Sequence, residues 1–534
     1  MKVPFLSTPN RLCFAIALWI VLTCNAAFWK LLFEVQGSSV RALLFAASLA
    51  LALTGLNLLL LRLASPGWLL RPALSVLVVL ATAAGWFMDT WGVALDSEML
   101  RNALQTDLAE ARDFIGWPLL WRLLWVAGPA LALTWMVALR VQGAWHLARD
   151  WVLGCLAGVA LVFIAGLPMY GHYVSYFRSE SAARYLIAPA NVVVGLTRLA
   201  RKSLEVHGPH EAVGLDARRN PAASRPLLMV LVVGETARAA NFSLGGYARE
   251  TNPGLARRGV FYYTDVTSCG TATAMSLPCM FSELPRDEFR LGQARRRDSV
   301  LDIVQRAGVA VRWIENQSGC KGVCERVPHE MAEAYYPQAC ERGECLDETL
   351  LHALDAQLRQ VKDDTLLVLH AMGSHGPAYH RRVPPDHAPF QPTCATHRIE
   401  TCDDAAIVNA YDNTIFYADY ILAGLIDRLA AAPQVDPVLL YVSDHGESLG
   451  ERGLYLHGQP YALAPALQKQ VPMLLWLPNN SISRLGIDAG CLRRGLTEPR
   501  SHDHLSHTLL GIAGIETDAY RANLDLIANC RTVH

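Results

Sequence analysis

The chain has 534 residues and a formal net charge of -1 from 47 basic and 48 acidic side chains. It is too long for one ordinary domain, and it has no global charge that would advertise nucleic acid as a partner. The overall hydrophobic content of 52% conceals a division: residues 1–172 are strongly apolar, and the rest has the mixed composition of a soluble enzyme.

In chain order, five stretches reach the roughly 20 mostly apolar residues that a membrane span needs. They are 12–33, 42–61, 68–88, 117–139 and 151–172. The first reads as a span and not a signal peptide, because Phe28 to Phe33 continue its apolar run without a cleavage site. Trp29, Trp68, Trp91, Trp117 and Trp151 stand near segment ends, where interfacial anchors belong. Basic residues give only a modest inside bias. The loop 89–116 is acidic and long, and Asn102, Thr106 and Glu110 recur in it at four-residue spacing, so a helix would place them on one face. A solvated amphipathic connector explains that spacing equally well. Residues 173–225 then read as a helical linker lying at the membrane surface, carrying Tyr173, Tyr176, Arg184, Arg198 and Arg201. The expected domains are therefore 1–172, 173–225 and 226–534.

Three apolar, β-rich runs mark the soluble part: Leu227 to Val233, Leu366 to Leu369 and Val438 to Val442. Helical segments intervene, notably 406–430, which predicts an α/β domain with a mostly parallel central sheet. Ligands of such sheets bind beyond the carboxyl ends of the strands. Each run ends there in a group able to bind metal: Glu235, His370 and the pair Asp444-His445, with His375 and His457 in nearby Gly/Pro turns. Carboxylates mixed with imidazoles suit zinc better than calcium or magnesium, with manganese as the alternative.

Of the 13 cysteines, ten follow residue 268. Adjacency suggests Cys269–Cys279, Cys320–Cys324, Cys340–Cys345 and Cys394–Cys402, leaving Cys491 with Cys530, although sequence alone does not fix connectivity. Structural disulfides require an oxidising compartment, and an odd number of spans carries the C-terminal part there from a cytoplasmic N-terminus. Between Cys269 and Cys279 lies Gly270-Thr271-Ala272-Thr273-Ala274-Met275-Ser276-Leu277-Pro278, an uncharged run rich in small and hydroxyl residues. By itself this is an ordinary stapled loop; beside a metal it offers a hydroxyl nucleophile.

Taken together, Val233-Gly234-Glu235-Thr236-Ala237-Arg238, Ser268-Cys269-Gly270-Thr271-Ala272-Thr273-Ala274, Cys320-Lys321-Gly322-Val323-Cys324, Met372-Gly373-Ser374-His375-Gly376-Pro377, Ser443-Asp444-His445-Gly446-Glu447-Ser448 and Leu456-His457-Gly458-Gln459-Pro460 form a specific set. The chain resembles the membrane phosphoethanolamine transferases that modify lipid A, the family of the mobile colistin-resistance enzymes. The resemblance covers the whole length and implies five helical spans followed by an alkaline-phosphatase/sulfatase-like domain. It places the protein in the bacterial inner membrane with that domain in the periplasm. It also makes Thr273 the nucleophile and gives Glu235, Thr273, Asp444 and His445 to a catalytic zinc. His375 and His457 fall to the substrate phosphate or a second zinc, and His370 to protonation of the leaving group. Lys321 falls near the phosphoethanolamine, and Asn102, Thr106 and Glu110 to the donor head group. Gln317 departs from relatives that carry asparagine there. The implied partners are phosphatidylethanolamine as donor, lipid A as acceptor and surrounding membrane lipids, with the enzyme a monomer. The implied consequence is a less negative surface and resistance to polymyxin. Rival readings are transfer of phosphoethanolamine or phosphoglycerol to another glycan, and a membrane-anchored binding protein without catalysis.

Overall fold

The computed structural model describes residues 8–64, 69–105, 116–139, 143–204, 208–219, 225–341 and 343–532. The chain divides into two compact units, Met1–Leu100 with Ile115–Ala200, and Arg101–Phe114 with Arg201–His534.

The first unit is helical. Its helices are α1 (Pro9–Thr23), α2 (Ala26–Gln36), α3 (Val40–Ala64) and α4 (Leu70–Trp91), followed by α5 (Ser97–Gln105), whose first residues belong to this unit. Then come α6 (Trp117–Met136), α7 (Ala144–Ser179) and α8 (Ala190–Leu204). Four of these, α3, α4, α6 and α7, are long and apolar enough to cross a membrane, and α1 with α2 makes a fifth if that bent pair is one span. The hydropathy of 12–33 suggests an unbroken helix there, but α1 and α2 meet at 60°. Asn25 sits at the break. Its buried amide donates to Ile20 O at 3.0 Å and accepts from Ala188 N–H at 2.7 Å, which satisfies polar groups that a straight helix would not expose. Where α3 crosses α7, a Cβ on Gly55 would stand 2.7 Å from Gly158 O, so only small residues allow this approach. The fifth apolar helix runs on to Ser179, past the end at 172 that hydropathy suggests. Tyr173 and Tyr176 hold the extension by packing edge-on against Phe45. At 36 residues α7 is about 54 Å long, more than a hydrocarbon core of about 30 Å requires.

The second unit is built on a seven-stranded sheet. In chain order its strands are β1 (Leu227–Gly234), β2 (Phe261–Tyr263), β3 (Ala310–Glu315), β4 (His329–Met331), β5 (Thr365–His370), β6 (Asp436–Ser443) and β7 (Met473–Trp476). They lie in the order β2-β7-β6-β1-β5-β3-β4. The run from β6 to β4 is parallel, while β7 is antiparallel to both of its neighbours. β1, β5 and β6 are buried at every residue, as unbroken aliphatic runs require when a parallel sheet is covered on both faces. One face packs Leu227, Met229, Leu231 and Val233 into a core with Leu277, Met280, Leu505 and Leu509. The register sets Ser443 opposite Gly234 and His370 opposite Val233, so the three carboxyl ends finish side by side.

Candidate metal and nucleophile site

The side-by-side strand ends bring Glu235 and the Asp444-His445 pair together, all fully buried. One ligand atom from each lies within 4.8 Å of the others. Asp444 Oδ1 accepts the backbone N–H groups of Thr236 at 3.0 Å and His445 at 2.7 Å, which turns Oδ2 toward the cluster, where it has no hydrogen-bond partner among the described residues. His445 Nδ1 lies 2.9 Å from Gly446 O, an atom that can only accept. A ring proton is therefore on Nδ1, and Nε2 faces the carboxylates at 3.4 Å from each. Thr236 takes a positive φ of 58° directly after Glu235, and its hydroxyl donates to Glu235 Oε1 at 2.7 Å, fixing that carboxylate. Across the site, Gly373 passes so close that a Cβ there would stand 2.6 Å from Glu235 O.

Thr273 is the first residue of α9 (Thr273–Met280), a short helix with Pro278 inside it. Its Oγ lies 3.1 Å from both oxygens of Glu235 and 3.4 Å from His445 Nε2. Three ties hold the loop before it. The Cys269–Cys279 disulfide closes around the helix. Thr271 donates to Gln459 O at 2.6 Å, and His502 bridges Cys269 N–H to Ser443 O. Disulfides also join Cys320–Cys324, Cys340–Cys345, Cys394–Cys402 and Cys491–Cys530.

The electrostatics of the cluster call for a cation. Burial and the neighbouring Glu235 charge push Asp444 up to about 6. Burial opposes a charge on His445, yet Asp444 and Glu235 push it up to about 10, so a proton occupies the place of a positive ion. Two desolvated carboxylates, an Asp444 oxygen with no hydrogen-bond partner among the described residues, and the Nε2 of His445 fit a divalent metal with nitrogen and oxygen ligands.

The His457 ring lies tilted beside that of His445 with centroids 4.3 Å apart, and the His375 ring lies 6.0 Å from that of His457. Burial pushes His375 down to about 3, leaving it a neutral imidazole able to coordinate or accept. His457 Nδ1 faces the buried Glu447 at 3.3 Å. Lys321 stands apart from these contacts. Its Nζ donates to Ser318 O and Oγ, and it lines a cleft of about 620 Å³ together with Phe289, Arg290 and Arg326. Asn102 lies on α5, whereas Thr106 and Glu110 fall outside the described residues.

Sequence reasoning missed Glu315. This buried carboxylate ends β3, 2.9 Å from His370 Nδ1, and it accepts from Trp313 Nε1 and Gln317 N–H at 2.8 Å each. The rule that found Glu235 and Asp444, a strand ending in a carboxylate, reaches it only once Ala310–Glu315 is known to be a strand. Arg312 interrupts the apolar run, so Ala310–Glu315 does not read as a buried strand.

A mostly parallel α/β sheet whose strand ends present a metal cluster beside a helix-borne hydroxyl defines the metal-dependent sulfatase and alkaline-phosphatase class of domain. The sulfatase family profile matches residues 228–515, and that of the phosphoethanolamine transferases EptA/EptB matches residues 53–204. Phosphoethanolamine transferase EptA of Escherichia coli (strain K12) is 40% identical over 97% of this chain and 96% of its own. Phosphatidylethanolamine transferase Mcr-1 of Escherichia coli is 34% identical, with 96% of each chain covered. Among solved structures, the integral membrane protein lipooligosaccharide phosphoethanolamine transferase A (EptA) from Neisseria meningitidis superposes with a TM-score of 0.94 at 35% identity, covering 98% of this chain and 99% of its own. The chain belongs to the phosphoethanolamine transferase family and is an enzyme of that class. It is a multi-pass protein of the bacterial inner membrane with its hydrolase domain in the periplasm.

Proposed function

We propose that this enzyme moves phosphoethanolamine from phosphatidylethanolamine to a phosphate of lipid A through a covalent intermediate on Thr273. The observation that carries this reading is the Thr273 hydroxyl, 3.1 Å from both Glu235 oxygens at the head of α9. The names of the relatives support donor and acceptor, since one is a phosphatidylethanolamine transferase and another acts on lipooligosaccharide.

Thr273 Oγ releases its proton to solvent and bonds to the phosphorus of the donor, and the bond from phosphorus to the diacylglycerol oxygen breaks. His370 supplies the proton that the departing oxygen takes up. Glu315 beside it, with Glu235 and Asp444, raises the pKa of His370 against the opposing effect of burial, so the acid form persists toward neutral pH. A phosphate oxygen of lipid A then bonds to the same phosphorus, and Thr273 leaves and regains a proton. Glu235, Thr273, Asp444 and His445 would hold one zinc, whose positive charge would lower the hydroxyl pKa and offset charge on the phosphoryl oxygens. His375 and His457 would take the substrate phosphate or a second zinc ion, and Lys321, Asn102, Thr106 and Glu110 would serve the head group, as the resemblance of their motifs implies. Each ethanolamine added to lipid A brings an ammonium that offsets surface negative charge, so polymyxin and other cationic peptides bind the surface less well.

Thr273→Ala is expected to keep the zinc content of the wild type and to abolish transfer. Mass spectrometry of lipid A from cells expressing that variant checks it, and a persistent phosphoethanolamine mass increment would refute the assignment.

A further inference from the structure

β3 and β5 pair in parallel register with Glu315 opposite His370, and the ladder between them ends there. Its last bond runs from Asn316 N–H to His370 O at 2.9 Å. Past that point a side chain from a third element joins the two strand ends. Asp347 Oδ1 accepts Asn316 Nδ2 at 2.8 Å and Met372 N–H at 2.7 Å, and Oδ2 accepts Gly373 N–H at 2.9 Å. One carboxylate therefore ties the residue after Glu315 to the second and third residues after His370.

Asp347 is the N-cap residue of α10 (Glu348–Leu358). An aspartate in that place ordinarily accepts an N–H from the first turn of its own helix. Here the side chain makes no such bond and is given instead to the strand ends. Asp347 and Asn316 are 7% and 5% exposed, so water is a poor substitute for these bonds. All three neighbours are donors, which suits an ionised carboxylate, a group that only accepts. Burial pushes its pKa up, and the bonds from Asn316, Gly373 and Met372 oppose that effect. Asn316 is held from the other side as well, since Nδ2 also donates to Cys345 O at 3.1 Å. The turn that Asp347 fixes then meets the metal cluster: Gly373 has a φ of 54°, and Ser374 N–H donates to Glu235 O at 2.9 Å.

We infer that Asp347 is a positioning residue that sets the Glu315–His370 pair and so aims His370 Nε2 at the oxygen that leaves. The inference rests on the acid role proposed for His370, and Asp347 acts through the backbone on either side of that pair. When phosphatidylethanolamine is the donor, Thr273 Oγ bonds to phosphorus, the bond to the diacylglycerol oxygen breaks, and that oxygen takes a proton from His370. The para-nitrophenyl ester of phosphoethanolamine breaks the equivalent bond, but its leaving group departs as nitrophenolate and needs no proton. A misplaced acid slows the first donor and spares the second.

Both donors are given to the full-length, zinc-loaded enzyme in detergent micelles, and release of diacylglycerol or nitrophenolate is timed. Asp347→Asn keeps the size of the side chain and two of its bonds, but sets an amide N–H against that of Gly373. Diacylglycerol release should fall about tenfold or more, and nitrophenolate release should stay within about twofold of wild type. The ratio of the two rates on one preparation cancels any loss of folded enzyme. His370→Gln should show the same selectivity more strongly. Equal slowing of both donors by Asp347→Asn would leave the residue a role in stability alone and overturn the inference, as would unaltered release from both. If His370→Gln alone is selective, the inference falls and the acid role stands. If His370→Gln slows both donors equally, the acid role in the proposed function falls and takes the inference with it.

Discussion

His370 ends β5 with Nδ1 against the buried Glu315, while its Nε2 has no hydrogen-bond partner among the described residues. Nδ1–H donates to the carboxylate, so Nε2 is the position from which a proton can be given. Burial alone would lower the pKa of His370; Glu315 is the largest influence opposing it. Glu315→Gln removes a negative charge, so the acid form of His370 should be lost at lower pH and the alkaline limb of the rate profile should move downward. The rate on the alkaline side should fall about tenfold or more. A uniform loss at every pH, with an unmoved limb, would make Glu315 a packing residue only. The protonation of His445 predicts a second pH effect. Its pKa is pushed up to about 10 when no metal is present, so a metal must displace a proton at any lower pH. Affinity for zinc, measured by chelator competition between about pH 6 and 8, should rise about tenfold per unit. A flat profile would mean that His445 is not a ligand.

The nucleophile reaches the metal cluster through contacts between elements distant in sequence. His502 accepts Cys269 N–H on Nδ1 at 3.0 Å and donates from Nε2 to Ser443 O at 2.9 Å, linking the loop before α9 to the end of β6. Burial pushes it down to about 3, which keeps it neutral, as one accepting and one donating nitrogen require. His502→Ala would leave two buried backbone groups unsatisfied, destabilising the protein by about 2–4 kcal/mol. It should lower kcat more than it changes KM, because Thr273 loses its support. An unchanged melting temperature with full activity would remove His502 from this role. Helix and strand positions were largely legible in the sequence. β1, β5 and β6 are unbroken aliphatic runs, whereas β3 carries Arg312 and becomes visible as a strand only when it pairs with β5. The bend between α1 and α2 was not legible either, because it depends on Ala188, far along the chain, meeting Asn25.

At the scale of the molecule, a periplasmic hydrolase domain is held by five disulfides, of which Cys491–Cys530 spans 39 residues and the others ten or fewer. The entropy removed from the unfolded chain grows with loop length, which gives up to about 4 kcal/mol for the longest loop and about 2 for the shortest. Cys530 also joins the main core beside Ile527 and Leu492. Replacing Cys491 and Cys530 with serine should therefore lower the denaturant midpoint more than replacing Cys320 and Cys324, with both pairs compared in the oxidised protein. The reverse order would show that local strain or residual structure outweighs loop length.

Hydropathy over 20-residue windows, aliphatic runs ending in carboxylates or imidazoles, and paired cysteines are local properties, and they determined the class of the chain. They marked the membrane part, the parallel sheet, and Glu235, Asp444 and His445 as candidates, while the choice of Thr273 among the hydroxyls rested on the resemblance of its motif. Strand order is not a local property. Only the pairing of β6, β1 and β5 in parallel register sets their ends abreast, and only the fold turns Thr273 Oγ onto Glu235. The same holds for Glu315 and His502. Each takes its meaning from a group remote in sequence. Burial and side-chain geometry arise when the chain closes on itself, and they gave these residues a role that their neighbours in sequence do not announce.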